Sequence, residues 1–129
     1  MMDLNPETIC YIIDKAHEFH VKEGVSIPEP PSSPTEDWAI QVLADHEDDL
    51  TYQELVSVIN DLEPDQQVQL VALMWVGRGD FEVGDWDNAV EAAGDAWTRR
   101  TAQYVIATPM VADYLAEGLD LMGMSCEER

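Results

Sequence analysis

The stretch "EPDQQVQLVALMWVGRG", residues 63–79, contains the longest apolar run in the chain and decides its fold. Pro64 suits the first turn of a helix, because its missing N–H would be unpaired there anyway. Apolar side chains from Val68 to Val76 leave almost no polar face, and a helix that is apolar nearly all round is buried. The letters LVALMWV alone would also suit a buried strand, but the polar start favours a helix. We therefore predict a buried central helix over about 64–77.

Helical periodicity on both sides of this stretch predicts the other elements. Asn5 suits an N-cap and Pro6 a first helical position, so we predict an amphipathic helix over about 6–22. Four more helices are predicted. The first runs from Thr35 or Glu36 to about His46, and the second starts at Thr51, which has Glu54 three residues later as in a capping box. The third has Asp85 as its N-cap and Arg99 and Arg100 in its last turn, and the fourth covers 101–107. A last helix begins with Thr108 as cap and Pro109, and Gly123 ends it.

No strand-like alternation and no internal repeat interrupts these patterns. We therefore predict an all-α fold, a compact single domain over 1–129 with six or seven helices. Residues 24–35 hold four of the seven prolines. Because proline fixes φ and lacks an N–H, this segment is predicted to be an extended linker within the domain. Residues 124–129 are predicted to be a frayed tail.

The charge balance restricts the classes of partner. Asp and Glu number 27 against 6 Lys and Arg, and the formal net charge is −21. Such a surface repels nucleic acid and anionic lipid, which argues against direct nucleic-acid binding and against membrane binding. It would attract a basic protein surface, or mimic DNA towards a nucleic-acid-binding protein. The charge is also compatible with a role in solubility or in adaptation to a salty cytoplasm.

The two cysteines and the start of the chain bear on its location. Cys10 and Cys126 stand at opposite ends, and the segment MMDLNPETIC lacks the basic region of a signal peptide. We therefore predict a cytoplasmic protein with two free thiols rather than a disulfide. No apolar run approaches the ~20 residues that span a bilayer.

The lone cation Arg78, between two glycines, is the most distinctive polar residue. As a structural element it would stand beside the terminal carbonyls of the central helix and pair with neighbouring acids, locking the turn. As a functional element it would meet an anionic group of a ligand or partner. The candidate binding residues on this hypothesis are Arg78, Asp80, Glu82 and Trp86.

Metal and catalytic patterns are weak. His17 and His20 lie one helical turn apart and could share a metal, but no third ligand is visible, and His20 on the apolar stripe suits a hydrogen-bonded core histidine. The run DHEDD, residues 45–49, lacks the order of a calcium loop. No nucleophile elbow, phosphate loop or dinucleotide fingerprint is present. The sequence therefore indicates no cofactor and no catalytic residue.

The segments LVALMWVGRGDFE, TAQYVIATPMVADYLAEGLDLMG and SCEE resemble a family of small bacterial proteins known as domain of unknown function 3775. The resemblance extends over nearly the whole chain, from ICYIIDKAHEF to Cys126. It implies a bacterial, stand-alone helical protein and no particular reaction, cofactor or partner.

These observations favour a non-enzymatic protein-binding or regulatory module whose ligand is a basic protein or a second copy of the chain. One alternative is a metal-dependent enzyme that uses His17 and His20 or an acidic cluster. The other alternative is an acidic mimic of nucleic acid.

Overall fold

The computed structural model describes residues 4–22, 43 and 46–126. This part of the chain contains six α-helices and no strand, which confirms the all-α prediction. The helices are α1 (Pro6–Lys22), α2 (Leu50–Asn60), α3 (Pro64–Arg78), α4 (Trp86–Ala96), α5 (Thr101–Ala107) and α6 (Val111–Leu121), with a 3-10 turn at Val83–Asp85. The predicted linker over 24–35 lies outside the described residues, and so does the predicted helix before His46, except for Leu43 and His46.

Helix α3 is the buried centre of the bundle, as its composition predicts. Every residue from Leu70 to Val76 is buried, and six of these seven are at most 3% exposed. Helices α4 and α6 pack against α3, while α1 packs against α6 and α2. Because residues 70–76 of α3 are covered from several sides, this part of the helix has no solvent face that could carry polar residues.

Two glycines let α3 and α6 cross closely. A Cβ on Gly77 would overlap the backbone carbonyl of Tyr114 in α6. A Cβ on Gly118 would lie 2.5 Å from the carbonyl oxygen of Leu73 in α3. Neither glycine has a positive φ, so each is needed for the space that a side chain would fill.

Two other glycines end these helices through their conformation. Gly79 has φ of 96° and Gly123 has φ of 82°, values that side chains rarely adopt. After α3 the N–H groups of Gly79 and Asp80 donate to the carbonyls of Val76 and Trp75, and an equivalent pair follows α6. This is the Schellman pattern, which satisfies the last carbonyls of a helix.

Helix α1 begins where it is predicted to begin. The side chain of Asn5 accepts a hydrogen bond of 2.9 Å from the N–H of Glu7. The buried face includes Ile9, Ile12 and Ala16, as its spacing predicts, and also Phe19, which the prediction missed.

The start of α2 differs from the prediction. Asp49 is the N-cap, and its Oδ1 accepts a hydrogen bond of 3.0 Å from the N–H of Tyr52. Thr51 therefore lies inside the first turn, where it is buried, and it does not form a capping box with Glu54. The prediction failed because Asp49 and Thr51 both have side chains that can act as an N-cap. The helix begins after Asp49, and the side chain of Thr51 is buried in the first turn.

The end of α4 also differs. The helix ends at Ala96, so Arg99 and Arg100 lie in the turn before α5 and do not close α4. Trp97 leaves the helix with extended backbone, and its indole N–H donates to Oε1 of Gln67 at 2.7 Å. Gln67 in turn donates to the carbonyl of Ile59 at 3.0 Å, so this buried amide joins three elements.

Helix α6 begins two residues later than predicted. Its N-cap is Met110, which has a left-handed φ of 60°. Thr108 is buried and its hydroxyl donates to the carbonyl of Tyr104 at 2.8 Å. Because that hydroxyl satisfies a carbonyl near the end of α5, it does not cap α6.

The prediction of free thiols is wrong, because Cys10 and Cys126 form a disulfide. The cysteines are 116 positions apart, but packing of α1 against α6 brings their Cα atoms to 5.7 Å. Distance along the chain therefore gave no indication of the distance in space. Residues 124–126 of the predicted frayed tail are held by this bond and by packing of Met124 against the core, and 127–129 lie outside the described residues.

Replacing Gly77 by alanine should separate α3 from α6. We expect Gly77→Ala to lower the free energy of unfolding by roughly 3 kcal/mol, because overpacking a tight contact forces backbone shifts. Gly84→Ala is the control, since a Cβ there meets nothing within 4 Å. Urea unfolding of both variants measures the difference, and equal midpoints would show that the crossing tolerates a methyl group.

Candidate functional site

The loop after α3 is closed by Arg78, the residue singled out in the sequence. Its Nη2 and Nε atoms lie 2.6 Å and 2.7 Å from the same Oδ2 atom of Asp80. The Arg78 side chain is only 22% exposed, against 45% for that of Asp80. Arg78 is also the last residue of α3, where a cation is favoured by the helix dipole. The structural explanation for this cation therefore has direct support.

A buried polar pair lies beneath this ion pair. Trp75 donates its indole N–H to the hydroxyl of Tyr104 at 3.0 Å, and Phe81 stacks on Trp75 with a centroid distance of 6.1 Å. Burial lowers the pKa of Arg78, but hydrogen bonds to Asp80 and to the Tyr104 hydroxyl outweigh it, so the pKa is raised. Arg78 is therefore a permanent cation that joins α3, the loop and α5.

The four candidate binding residues do not share one surface. Asp80 pairs with Arg78, and Glu82 is exposed at the start of the 3-10 turn. Trp86 is only 5% exposed and belongs to the core. Sequence reasoning missed Tyr104, because nothing in its local pattern shows that α5 brings its hydroxyl beside Trp75 and Arg78.

The two candidate metal ligands point to different environments. His20 is half-buried, and its Nε2 lies 2.9 Å from the carbonyl oxygen of Ile106 in α5. Burial lowers the pKa of His20, and the hydrogen bond to Ile106 opposes this only in part. His17 is exposed on the same helix. No group of three potential metal ligands occurs in the part of the chain that the structure describes.

Exposed carboxylates follow one face of α4 and one face of α6. Asp87, Glu91 and Asp95 recur at every fourth position of α4, and all three are exposed. Three more exposed acids lie on α6, at positions Asp113, Glu117 and Asp120. Neither helix contains a Lys or Arg residue. We call the first set the α4 acidic face and the second the α6 acidic face.

The charge of these faces is not offset by the cations whose contacts are described. Lys15 of α1 pairs with Glu54 at 3.0 Å and with Glu18 at 3.9 Å, and Arg78 pairs with Asp80. These ion pairs place both cations beside acids of other elements. Within their own helices, the carboxylates of the α4 and α6 acidic faces are therefore like charges with no cation between them.

A family model matches residues 52–124, which include α3 to α6 and most of α2. The chain belongs to the family described as "Protein of unknown function (DUF3775)". The match includes Arg78 and both acidic faces. Helix α1 and Cys126 lie outside it, so the resemblance in ICYIIDKAHEF is not part of the matched region.

No curated protein and no solved structure matches the chain. Among the described residues, no helix has the length and apolar character needed to cross a membrane.

Removing the Arg78 guanidinium should destabilise the turn. We expect Arg78→Ala to lower the free energy of unfolding by roughly 1–2 kcal/mol, because a half-buried, charge-assisted pair is lost. Arg99→Ala removes an exposed cation and should cost less than about 0.5 kcal/mol. A double-mutant cycle with Asp80→Asn measures the interaction energy between Arg78 and Asp80. An interaction energy near zero would contradict the conclusion that this ion pair stabilises the turn.

His20 should make stability depend on pH. A lowered pKa in the folded state means that the unfolded chain binds the proton first, so stability falls as pH drops below about 6.5, by at most about 1.4 kcal/mol per pH unit. We expect His20→Gln to reduce this loss when urea unfolding is compared between pH 7.5 and 5.5. His17→Gln replaces an exposed histidine that is only the smallest cause of the lowered pKa of His20, so it should change the profile less than His20→Gln does. Identical profiles for all three proteins would contradict this role of His20.

Proposed function

We propose that this protein is a non-enzymatic binding module that recognises a basic protein partner in the cytoplasm. The observation that carries the proposal is the α4 acidic face, where three exposed carboxylates recur at helical spacing with no cation in the helix. Like charges four residues apart on a helix destabilise it by a few tenths of a kcal/mol per pair. A face that carries this cost is well suited to a partner that supplies the opposite charge.

The loop before α4 extends the same negative surface. Glu82 and Asp85 are exposed there, beside the ion pair of Arg78 and Asp80. Phe81 of this loop stacks on the buried Trp75, and the buried Trp86 follows the loop, so these contacts attach the charged loop to the core. A rigid charged surface binds with less loss of conformational entropy than a mobile one.

The net charge of −21 also bears on the kind of partner. A field of this size accelerates encounter with cationic surfaces and slows encounter with anionic ones. Self-association through the acidic faces would bring like charges together, so a second copy is a poorer ligand for them than a basic protein. We propose that the whole helical bundle is one domain and that this domain binds the basic protein.

A comparison of two matched triple variants tests the proposal. The first removes the α4 acidic face by Asp87→Asn, Glu91→Gln and Asp95→Asn. The second removes the α6 acidic face by Asp113→Asn, Glu117→Gln and Asp120→Asn. Both raise the net charge by three and both remove one acid from a first helical turn, so they differ only in the position of the lost charge.

Affinity capture from nuclease-treated bacterial lysate, at low and moderate salt, compares these variants with the wild type. We expect a defined basic protein to bind the wild type and the α6 variant, and to be lost with the α4 variant. Circular dichroism should confirm that both variants fold. Equal loss with both variants would indicate non-specific charge attraction, and capture of nucleic-acid-binding proteins alone would favour mimicry of nucleic acid.

A further inference from the structure

The Cys10–Cys126 disulfide joins two parts of the chain that lie outside the family match. Cys10 belongs to α1 and is 1% exposed, whereas Cys126 is half-buried and follows the Schellman turn of α6. We call residues 124–126 the strap. The bond therefore fastens the strap to the first helix of the fold.

Helix α1 is held in the bundle by contacts that do not involve this bond. Ile9, Ile12 and Phe19 are fully buried, and burial of such large apolar side chains stabilises the packing of the helix. His20 binds the carbonyl of Ile106, and Lys15 pairs with Glu54 at 3.0 Å. The apolar face and these two polar contacts are spread over the length of the helix. Loss of the disulfide would leave them in place.

The strap is held by the disulfide and by non-covalent contacts. The N–H of Met124 donates to the carbonyl of Leu119 at 2.8 Å, and the side chains of Met124 and Cys126 pack partly against the core. Ser125 and Cys126 have further contacts as well. The disulfide is the covalent attachment of this three-residue segment, whereas α1 is held along its length by its buried face.

We propose that the Cys10–Cys126 disulfide is a reversible redox clasp, which holds the strap against α1 when oxidised and releases it when reduced. The fold stays intact in both states, because α1 keeps its apolar face. In reducing compartments, protein disulfides are as a rule transient and redox-responsive rather than structural. This device is independent of the acidic faces and of the binding proposed for them.

The reductant is a dithiol. One of its thiolates attacks the sulfur of Cys126, which is the more accessible of the two, forming a mixed disulfide while Cys10 leaves as a thiolate and takes up a proton. The second thiol of the reductant then displaces Cys126, which also becomes a thiol. In sum, the dithiol is oxidised to a disulfide and the protein disulfide is reduced to two thiols.

The test measures backbone motion in the folded state. Heteronuclear ¹⁵N relaxation of the full chain is recorded with and without dithiothreitol, since it reports fast motion of each residue. On reduction we expect order parameters of the strap to fall from those of rigid backbone, about 0.85, to below about 0.6, while those of α1 and α3 stay unchanged. Cys126→Ala without reductant should reproduce the reduced state, and the wild type without reductant is the oxidised reference.

Two results would overturn the clasp. A strap that stays as rigid after reduction, or in Cys126→Ala, would show that packing alone holds it. Loss of dispersed signals throughout the chain would show that the bond is a structural staple on which the fold depends. Cys10→Ala gives a second variant that lacks the bond and should behave like Cys126→Ala.

The order of attack is tested separately with glutathione, a monothiol. Peptide mass spectrometry after alkylation should find the adduct on Cys126. An adduct found chiefly on Cys10 would contradict the proposed access.

Discussion

The close crossing of α3 and α6 is the contact on which the rest of the fold depends. At Gly77 and Gly118 the two backbones approach so closely that a Cβ on either glycine would overlap the facing helix. The approach lets the large apolar side chains of α3, from Leu70 to Val76, bury themselves against α6 on one side and α4 on another. Helix α1 then packs on α6, so its position also follows from this crossing.

The polar chemistry of the interior is concentrated at the C-terminal end of α3. Trp75, Tyr104, Arg78 and Asp80 form a continuous path of polar contacts from the core to the surface. The indole N–H of Trp75 and the Nε of Arg78 each have an acceptor, and such pairing lets polar groups lie inside a fold without a large cost. Arg78, which is a candidate recognition residue in the sequence, is therefore the member of this structural network that pairs with Asp80 at the surface. For this reason we base the proposed binding on the exposed carboxylates and not on Arg78.

The acidic faces and the disulfide take no part in the crossing of α3 and α6 or in the polar contacts at the end of α3. The carboxylates of α4 and α6 are exposed, so they alter the field around the protein without taking part in its core. The disulfide joins α1 to the strap, at the edge of the bundle and beyond the region that defines the family. The proposed binding and the proposed redox response therefore involve residues outside α3.

The sequence by itself determined the helical class, the buried central helix and Gly123 as the residue that ends the last helix. These features depend on local periodicity and on backbone conformation, which neighbouring residues encode. For the candidate site it determined that Arg78 would stand at a helix end with an acid nearby. Tertiary structure alone decided that His20 bonds to Ile106, that Tyr104 completes the Arg78 network and that Cys10 meets Cys126. The physical reason is common to all three: each depends on which helices pack together, and the residues that meet across a helix interface are far apart in the chain.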